Sequence, residues 1–341
     1  MIPHFNPSQL REISDILSTG KKIAIIPHAK PDGDAMGASL GLYNYLIQKN
    51  HDVKVVSPTD YPDFLTWMEG NDKVIIHKEK NSRAAIALKE ADVIFCLDFN
   101  SADRVEKLEQ DLLKSAAKKV MIDHHLSPQS FCDYTFSFSD SCSTCELIYH
   151  FIVQMGDKDF LNKVIGECLY TGIMTDTGSF RFSSMTADTH RIIADLMEAG
   201  VNNAKIHELV FDNFSEERTR FLGFCIKDKM VVLKEFNTVY ISVTKEEMRK
   251  YNHQTGDAEG IVNYGLGIKG IRCSAFFSER EDLIKISFRS KDNFSVREMA
   301  SKHFEGGGHK NAAGGKSKAS LQETVERFTE LLLLYKDELT Q

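Results

Sequence analysis

No apolar run in the 341 residues approaches the length of a membrane span. The opening residues, MIPHFNPSQLREIS, hold no basic segment followed by an apolar stretch. No secretory signal is read there, and a cytoplasmic protein is expected. Excess positive charge is missing too. The formal net charge is −7, which argues against coating long DNA through its backbone. A short nucleotide gripped by local cations remains compatible with that balance. There is no disulfide framework either: the seven cysteines are scattered and odd in number. Cys142 and Cys145 form the only close pair, with no further ligands at zinc-finger spacing. Two reduced thiols at a helix start are the expectation. Internal repeats, low-complexity tracts and dense Lys/Arg runs are absent as well.

What is present is ordinary in bulk: 42% hydrophobic and 27% charged residues, as in a globular protein. The length suits two domains. The first half alternates strand-like and helical stretches, the βαβ rhythm of a doubly wound, mainly parallel sheet. Strands are expected at 22–27, 52–57, 73–76, 92–97 and 118–122, and helices at 8–18, 35–49, 82–90 and 104–117. From 143 to 228 the pattern is nearly all helical. After 229 it changes to two strand pairs, a helix over 296–304 and a final helix over 320–335, an α+β pattern. Ser295 and Glu298 have capping-box spacing. The expected division is a first domain over 1–200, a helical linker over 201–228 and a smaller α+β domain over 229–341.

Four distant segments then place acids or histidines where apolar runs end. They are His28-Ala-Lys-Pro-Asp32-Gly-Asp34, Asp98, Asp123-His124-His125 and Asp176. Ligands of an open parallel sheet bind outside the carboxyl ends of its strands, so these residues should share one crevice. Clustered carboxylates repel unless cations join them. A two-metal hydrolytic site for phosphate esters is the reading. Pro31 and Gly33 make the first segment a loop, and a solvated Asp-rich turn is its alternative. Of the adjacent histidines, one can ligate metal while the other acts as a general acid; a surface pair is the alternative. Asp98 alone is an ordinary helix cap, and its claim rests on position. Asp176 opposes the helix dipole at a C-terminus, a misfit that a bound cation relieves.

HAKPDGDAMG, CLDFNSADR, IDHH and GIMTDTGSFRF resemble the successive signatures of the DHH phosphoesterase superfamily. EGGGHKNAAGG resembles the glycine-rich loop of its DHH-associated C-terminal domain. The wording is most similar to the NrnA-like branch, which joins nano-RNase and 3′-phosphoadenosine 5′-phosphate (pAp) phosphatase activities. The resemblance implies two Mn²⁺ ions, with Mg²⁺ as the other ion such donors suit. It implies His28 and Asp32 on one ion, Asp34, His124 and Asp176 on the other, and Asp98 bridging. The ions would lie about 3.5–4 Å apart. His125 would protonate the leaving oxygen, and Asp123 would orient a histidine.

Gly306–Gly308 let backbone amides approach a phosphate, and His309 follows; a flexible hairpin tip is the alternative. The resemblance favours substrate binding by Gly307, Gly308 and His309. Arg289 resembles a family position that grips phosphate. Arg104 and Arg181 follow Asp98 and Asp176 and are further phosphate candidates. Gly265-Leu-Gly267-Ile-Lys-Gly270 fits a dinucleotide-binding pattern but leads into a strand, so no cofactor is assigned and a loop is expected.

The expected activity is Mn²⁺-dependent trimming of short RNA to mononucleotides and removal of the 3′-phosphate of pAp. Cyclic- or linear-dinucleotide phosphodiesterase, exopolyphosphatase and long-strand exonuclease are alternatives within enzymes. A non-catalytic nucleotide sensor is the alternative outside them. Expected partners are short RNA and pAp-like nucleotides, with no membrane and no long DNA; a homodimer stays open.

Overall fold

Lys22–Pro27 (β1), Asp52–Ser57 (β2), Ile75–Ile76 (β3), Val93–Leu97 (β4), Lys118–Asp123 (β5) and Tyr134–Ser137 (β6) form one parallel sheet. Its order is β3-β2-β1-β4-β5-β6. The order reverses between β1 and β4, so the carboxyl ends of these two strands flank the switch point where such sheets take ligands. The central strands are apolar and buried on both faces: KIAIIP in β1 and VIFCL in β4. The computed structural model describes residues 3–78, 83–254 and 256–340. Among these, no helix is long and apolar enough to cross a membrane.

Helices cover both faces of the sheet. Pro7–Ile16 (α1), Gly33–Gln48 (α2), Arg83–Glu90 (α3), Glu109–Lys114 (α4), Thr144–Gln154 (α5), Lys163–Asp176 (α6), Ala187–Glu198 (α7) and Asn203–Phe211 (α8) follow in chain order. Alternation along β1 assigns the layers. Ile23 and Ile25 join a core with α1, α2, α5 and α6, whereas Ala24 and Ile26 pack with α3 and α4. Between α2 and α6 the backbones nearly touch. Gly33, Gly37 and Gly41 recur at helical spacing along α2, and a Cβ at Gly37 would lie 2.5 Å from the Cys168 carbonyl oxygen. From the α6 side, a Cβ at Gly172 would lie 2.1 Å from Cys145 Sγ and 2.8 Å from Asp34 Oδ1.

The chain divides into two compact units between Asn213 and Phe214, within the stretch read as a linker. The second unit is a smaller α+β arrangement. Its helices are Glu216–Phe224 (α9), Lys245–Lys250 (α10), Ile261–Leu266 (α11), Val296–His303 (α12), Leu321–Leu331 (α13) and Lys336–Thr340 (α14). Its strands are Met230–Leu233 (β7), Thr238–Val243 (β8), Cys273–Glu279 (β9), Ile284–Ser290 (β10), Gly307–Gly308 (β11) and Ala312–Ser317 (β12). They form a mixed sheet, β11-β12-β10-β9-β8-β7, in which only β8–β9 is parallel among the described pairs. Phe277, Phe288 and Phe328 fill the core against it.

Several expectations shift. The segment read as a loop through Gly33 starts α2, because Asp32 Oδ1 accepts from the amides of Asp34 and Ala35 and caps the helix. The helix expected over 82–90 is described from Arg83, residue 82 lying outside the described residues. β6 joins the sheet although no strand was expected there; its four residues bury only Tyr134 and Phe136. The strand expected over 73–76 shrinks to β3, with Asn71–Lys73 forming a 3₁₀ turn. Of the glycine pattern expected in a loop, Gly265 and Leu266 end α11 and the residues from Gly267 to Gly270 follow as a turn; a Cβ at Gly265 would meet Ser274 Oγ at 2.5 Å, so that glycine serves close packing on β9. At Ser295 half a capping box forms: its hydroxyl accepts from the Glu298 amide, while the Glu298 carboxylate pairs with Lys302.

Candidate metal centre

His28 and Asp98 stand immediately beyond β1 and β4, on either side of the switch point. Asp98 takes φ +63°, a backbone conformation that L-residues other than Asn and Asp seldom adopt, and its amide donates to the Ile122 carbonyl. Its side chain is buried, with its two oxygens turned to different neighbours. Oδ2 lies 3.5 Å from His28 Nε2, and Oδ1 lies 3.4 Å from His124 Nε2. Asp32 approaches the same His28 nitrogen at 3.9 Å. Asp34 and Asp176 approach His124 Nε2 at 3.8 and 3.5 Å. Two sets of ligand-type atoms result: His28, Asp32 and Asp98, then Asp34, His124 and Asp176, each set lying within 4.8 Å of one another.

The three imidazoles are held differently. His28 Nδ1 is 2.8 Å from the Ala29 carbonyl, and His124 Nδ1 is 3.2 Å from the Ser141 carbonyl. A carbonyl only accepts, so both rings carry a proton on Nδ1 and aim Nε2 at carboxylates. That is the tautomer a metal-ligating histidine needs. His125 instead sets Nδ1 2.7 Å from Asp123 Oδ1, with Asp98 Oδ1 at 3.7 Å. Asp123 is fully buried at the end of β5.

The electrostatics favour added positive charge. Burial, then the charges of Asp98 and Asp176, push the Asp34 carboxyl well above its ordinary range, against His124. Burial also raises Asp176, with Asp32 and Asp98 adding to it against the pull of His124. Asp98 goes the other way: burial opposes ionisation, but hydrogen bonds with His124 and His28 and the charge of His125 hold it well below. Burial lowers His28, yet Asp98 and Asp32 outweigh it and raise the ring to about 9. Without added cations Asp34 and Asp176 lean toward the protonated form, while Asp98 stays ionised against its imidazole neighbours. The donors are oxygen and imidazole nitrogen, the chemistry that suits Mn²⁺ or Mg²⁺. The residues present therefore fit a pair of hard divalent cations.

The structure adds residues that sequence reasoning passed over. The amides of Thr144 and Cys145 donate to Asp34 Oδ2 and Oδ1 at 2.6 and 2.8 Å, and the Thr144 hydroxyl donates to Asp98 Oδ1 at 2.9 Å. Ser143 caps α5 and accepts from the Glu146 amide. The Ser143-x-x-Glu146 spacing was the available signal. Cys142 and Cys145 are both free and buried.

The substrate candidates divide. Arg104 is exposed, but its carbonyl accepts from the Ala29 amide and its charge opposes protonation of His28, so it lies beside that set. Arg181 is exposed and donates through Nε to the Gly178 carbonyl, back into its own turn. Arg289, Gly307, Gly308 and His309 belong to the second unit, on β10 and at the β11–β12 hairpin. Arg289 donates through Nη1 to the Phe288 carbonyl. His309 and Ala312 exchange backbone hydrogen bonds. Of the glycines, Gly308 takes φ +135° with a Cβ position only 2.6 Å from the Ala312 carbonyl oxygen, so the hairpin itself requires it. Gly307 faces open space.

Over 100% of both chains the sequence is 38% identical to a solved structure, an exopolyphosphatase-related protein from Bacteroides fragilis, at a TM-score of 0.95. The family described as "DHH family, N-terminal domain" matches residues 22–173, and the DHHA1 domain matches residues 236–338. The chain belongs to the DHH family. Other DHH relatives carry the name bifunctional oligoribonuclease and PAP phosphatase NrnA. That of Thermus thermophilus is 27% identical over 98% of this chain and 95% of its own length. That of Bacillus subtilis is 26% identical over 89% and 91%. This DHH protein is a hydrolytic phosphoesterase, and its first unit carries acidic and histidine groups able to bind metal.

Proposed function

We propose that the protein hydrolyses short RNA oligonucleotides to mononucleotides and removes the 3′-phosphate of pAp at a two-cation centre. Mn²⁺ is the ion the reading assigns, with Mg²⁺ as the alternative. The observation that carries it is the division of Asp98, one oxygen toward His28 and the other toward His124, between two sets of ligand-type atoms. The names of the DHH relatives support the substrate class.

His28 and Asp32 would hold one ion, Asp34, His124 and Asp176 the other, and Asp98 would serve both. Such ions supply positive charge to the attacked phosphate and lower the pKa of a nucleophilic water. The protein's own groups do the rest. Asp123 fixes the His125 ring through Nδ1. Nε2 of that ring is then the atom that hands a proton to the leaving oxygen. Arg104 places a guanidinium beside the centre for a non-bridging phosphate oxygen. Arg289 and the Gly307–His309 hairpin are the proposed grip on the rest of the nucleotide.

The test is release of mononucleotide from a labelled RNA dimer and of phosphate from pAp, with Mn²⁺ and after chelation. Cleavage of both that vanishes on chelation is expected. A protein that leaves both untouched while cleaving polyphosphate or cyclic dinucleotides would overturn the assignment.

A further inference from the structure

Behind the carboxylates lies a second, buried layer that no part of the proposed chemistry uses. Glu146, in the first turn of α5, is 4% exposed and receives three donors. Its Oε2 accepts from the Ser141 hydroxyl at 2.5 Å and the Cys142 amide at 2.9 Å, and its Oε1 accepts from the Thr189 hydroxyl at 2.7 Å. One carboxylate thus ties the loop ahead of α5 to the start of α5 and to α7.

That loop and that first turn touch three of the proposed ligands. The Ser141 carbonyl receives His124 Nδ1. The Thr144 and Cys145 amides grip both oxygens of Asp34, and the Thr144 hydroxyl grips Asp98 Oδ1. Thr144 is fully buried. Backbone amides at a helix start cannot rotate away, so Asp34 is fixed in plane and position. A hydroxyl on one oxygen of Asp98 selects which lone pairs stay available. We propose that Thr144 and Glu146 are positioning residues of the cation centre: Glu146 locks the loop and first turn, and Thr144 passes that order to Asp34 and Asp98. The proposal rests on the two-cation reading.

Three variants test it in a Mn²⁺ titration of the metal-free full-length protein. Thr144→Val keeps the shape and removes the hydroxyl. Its Mn²⁺ dissociation constant should rise about tenfold or more, the usual loss when a hydrogen-bond partner of a ligand is removed. Thr144→Ser restores the hydroxyl and should bring affinity back to within about twofold of the natural protein. Glu146→Ala releases the loop. In the metal-free protein its His124 Nδ1–H resonance should move, whereas Glu146→Gln, which keeps an acceptor for Ser141 and Cys142, should retain it. Thr144→Val with undiminished affinity, Thr144→Ser as weak as Thr144→Val, or an unmoved His124 signal in Glu146→Ala overturns the proposal. A natural protein that binds no Mn²⁺ instead overturns the two-cation reading, so the two failures are distinguishable.

Discussion

Replacing Gly37 by alanine should damage the protein far more than replacing Gly41, although both lie on the same face of α2. In an exposed helix the exchange of glycine for alanine stabilises by about 1 kcal/mol. Here the added Cβ must also find room. At Gly41 it would meet the Leu169 side chain, Cδ2 at 2.7 Å, and a leucine end can turn aside. At Gly37 it would meet the Cys168 carbonyl oxygen at 2.5 Å, Cys145 Sγ at 3.0 Å and the Gly172 amide nitrogen at 3.1 Å. Two of these are backbone atoms of α6, so the helices must part by about 1 Å. Overpacking of this kind costs about 1–3 kcal/mol. With the propensity gain offsetting about 1 kcal/mol, Gly41→Ala should sit near zero and Gly37→Ala near 2 kcal/mol destabilised. Urea unfolding of the metal-free proteins measures both. Asp34 lies one turn from Gly37 and Asp176 ends α6, so Gly37→Ala should also weaken Mn²⁺ binding. If Gly37→Ala proves as stable as Gly41→Ala and binds Mn²⁺ equally well, the reasoning from this seam is wrong.

Asp98→Asn should abolish Mn²⁺-dependent turnover yet keep the fold, since Asn tolerates the left-handed backbone; Asp98→Ala should add about 1 kcal/mol of strain, seen as a lower midpoint in denaturant. His125→Ala should lower kcat about 10²–10⁴-fold while leaving Mn²⁺ stoichiometry unchanged, and a loss of bound Mn²⁺ would reassign that ring as a ligand. Chelation should silence the enzyme and added Mn²⁺ restore it; turnover that persists without metal would remove the centre from the mechanism. Lys158 and then Tyr149 hydrogen-bond Asp195 of α7 and hold its carboxyl below the ordinary range. A lowered folded-state value means stability present above the unfolded pKa and lost as pH falls through the folded one. Asp195→Asn should therefore destabilise at neutral pH and flatten the acid limb below about pH 4, measured as unfolding midpoint against pH.

The strand ends were legible because β-branched runs stopped at acids and histidines, and a parallel sheet brings such ends together. KIAIIP, DVIFCL and KKVMI gave strands within a residue or two of β1, β4 and β5. β6 was hard to see, for YTFS buries two rings on one side and is too short to show a period. The start of α2 was obscured by Pro31 and Gly33, breakers by type that here lead into a cap. Capping depends on where the Asp32 side chain points, which composition does not tell. The Ser141–Glu146 layer was hard to see because Cys142 and Cys145 stand out there as a close pair, while it is the Thr144 hydroxyl and the Thr144 and Cys145 amides that reach Asp98 and Asp34. The row Gly33, Gly37, Gly41 is visible as spacing, but that α6 is what lies against it emerges only from packing. His28 and His124 differ from His125 by which acceptor each Nδ1 finds, a distinction no residue spacing carries.

At Gly37 main chain presses on main chain where α2 meets α6, and two acids of the proposed cage, Asp34 and Asp176, belong to these two helices. Adding bulk at that point must displace backbone and not a side chain. Gly37, which offers no side chain to the cage, thereby sets how near to each other the helices bearing Asp34 and Asp176 can stand.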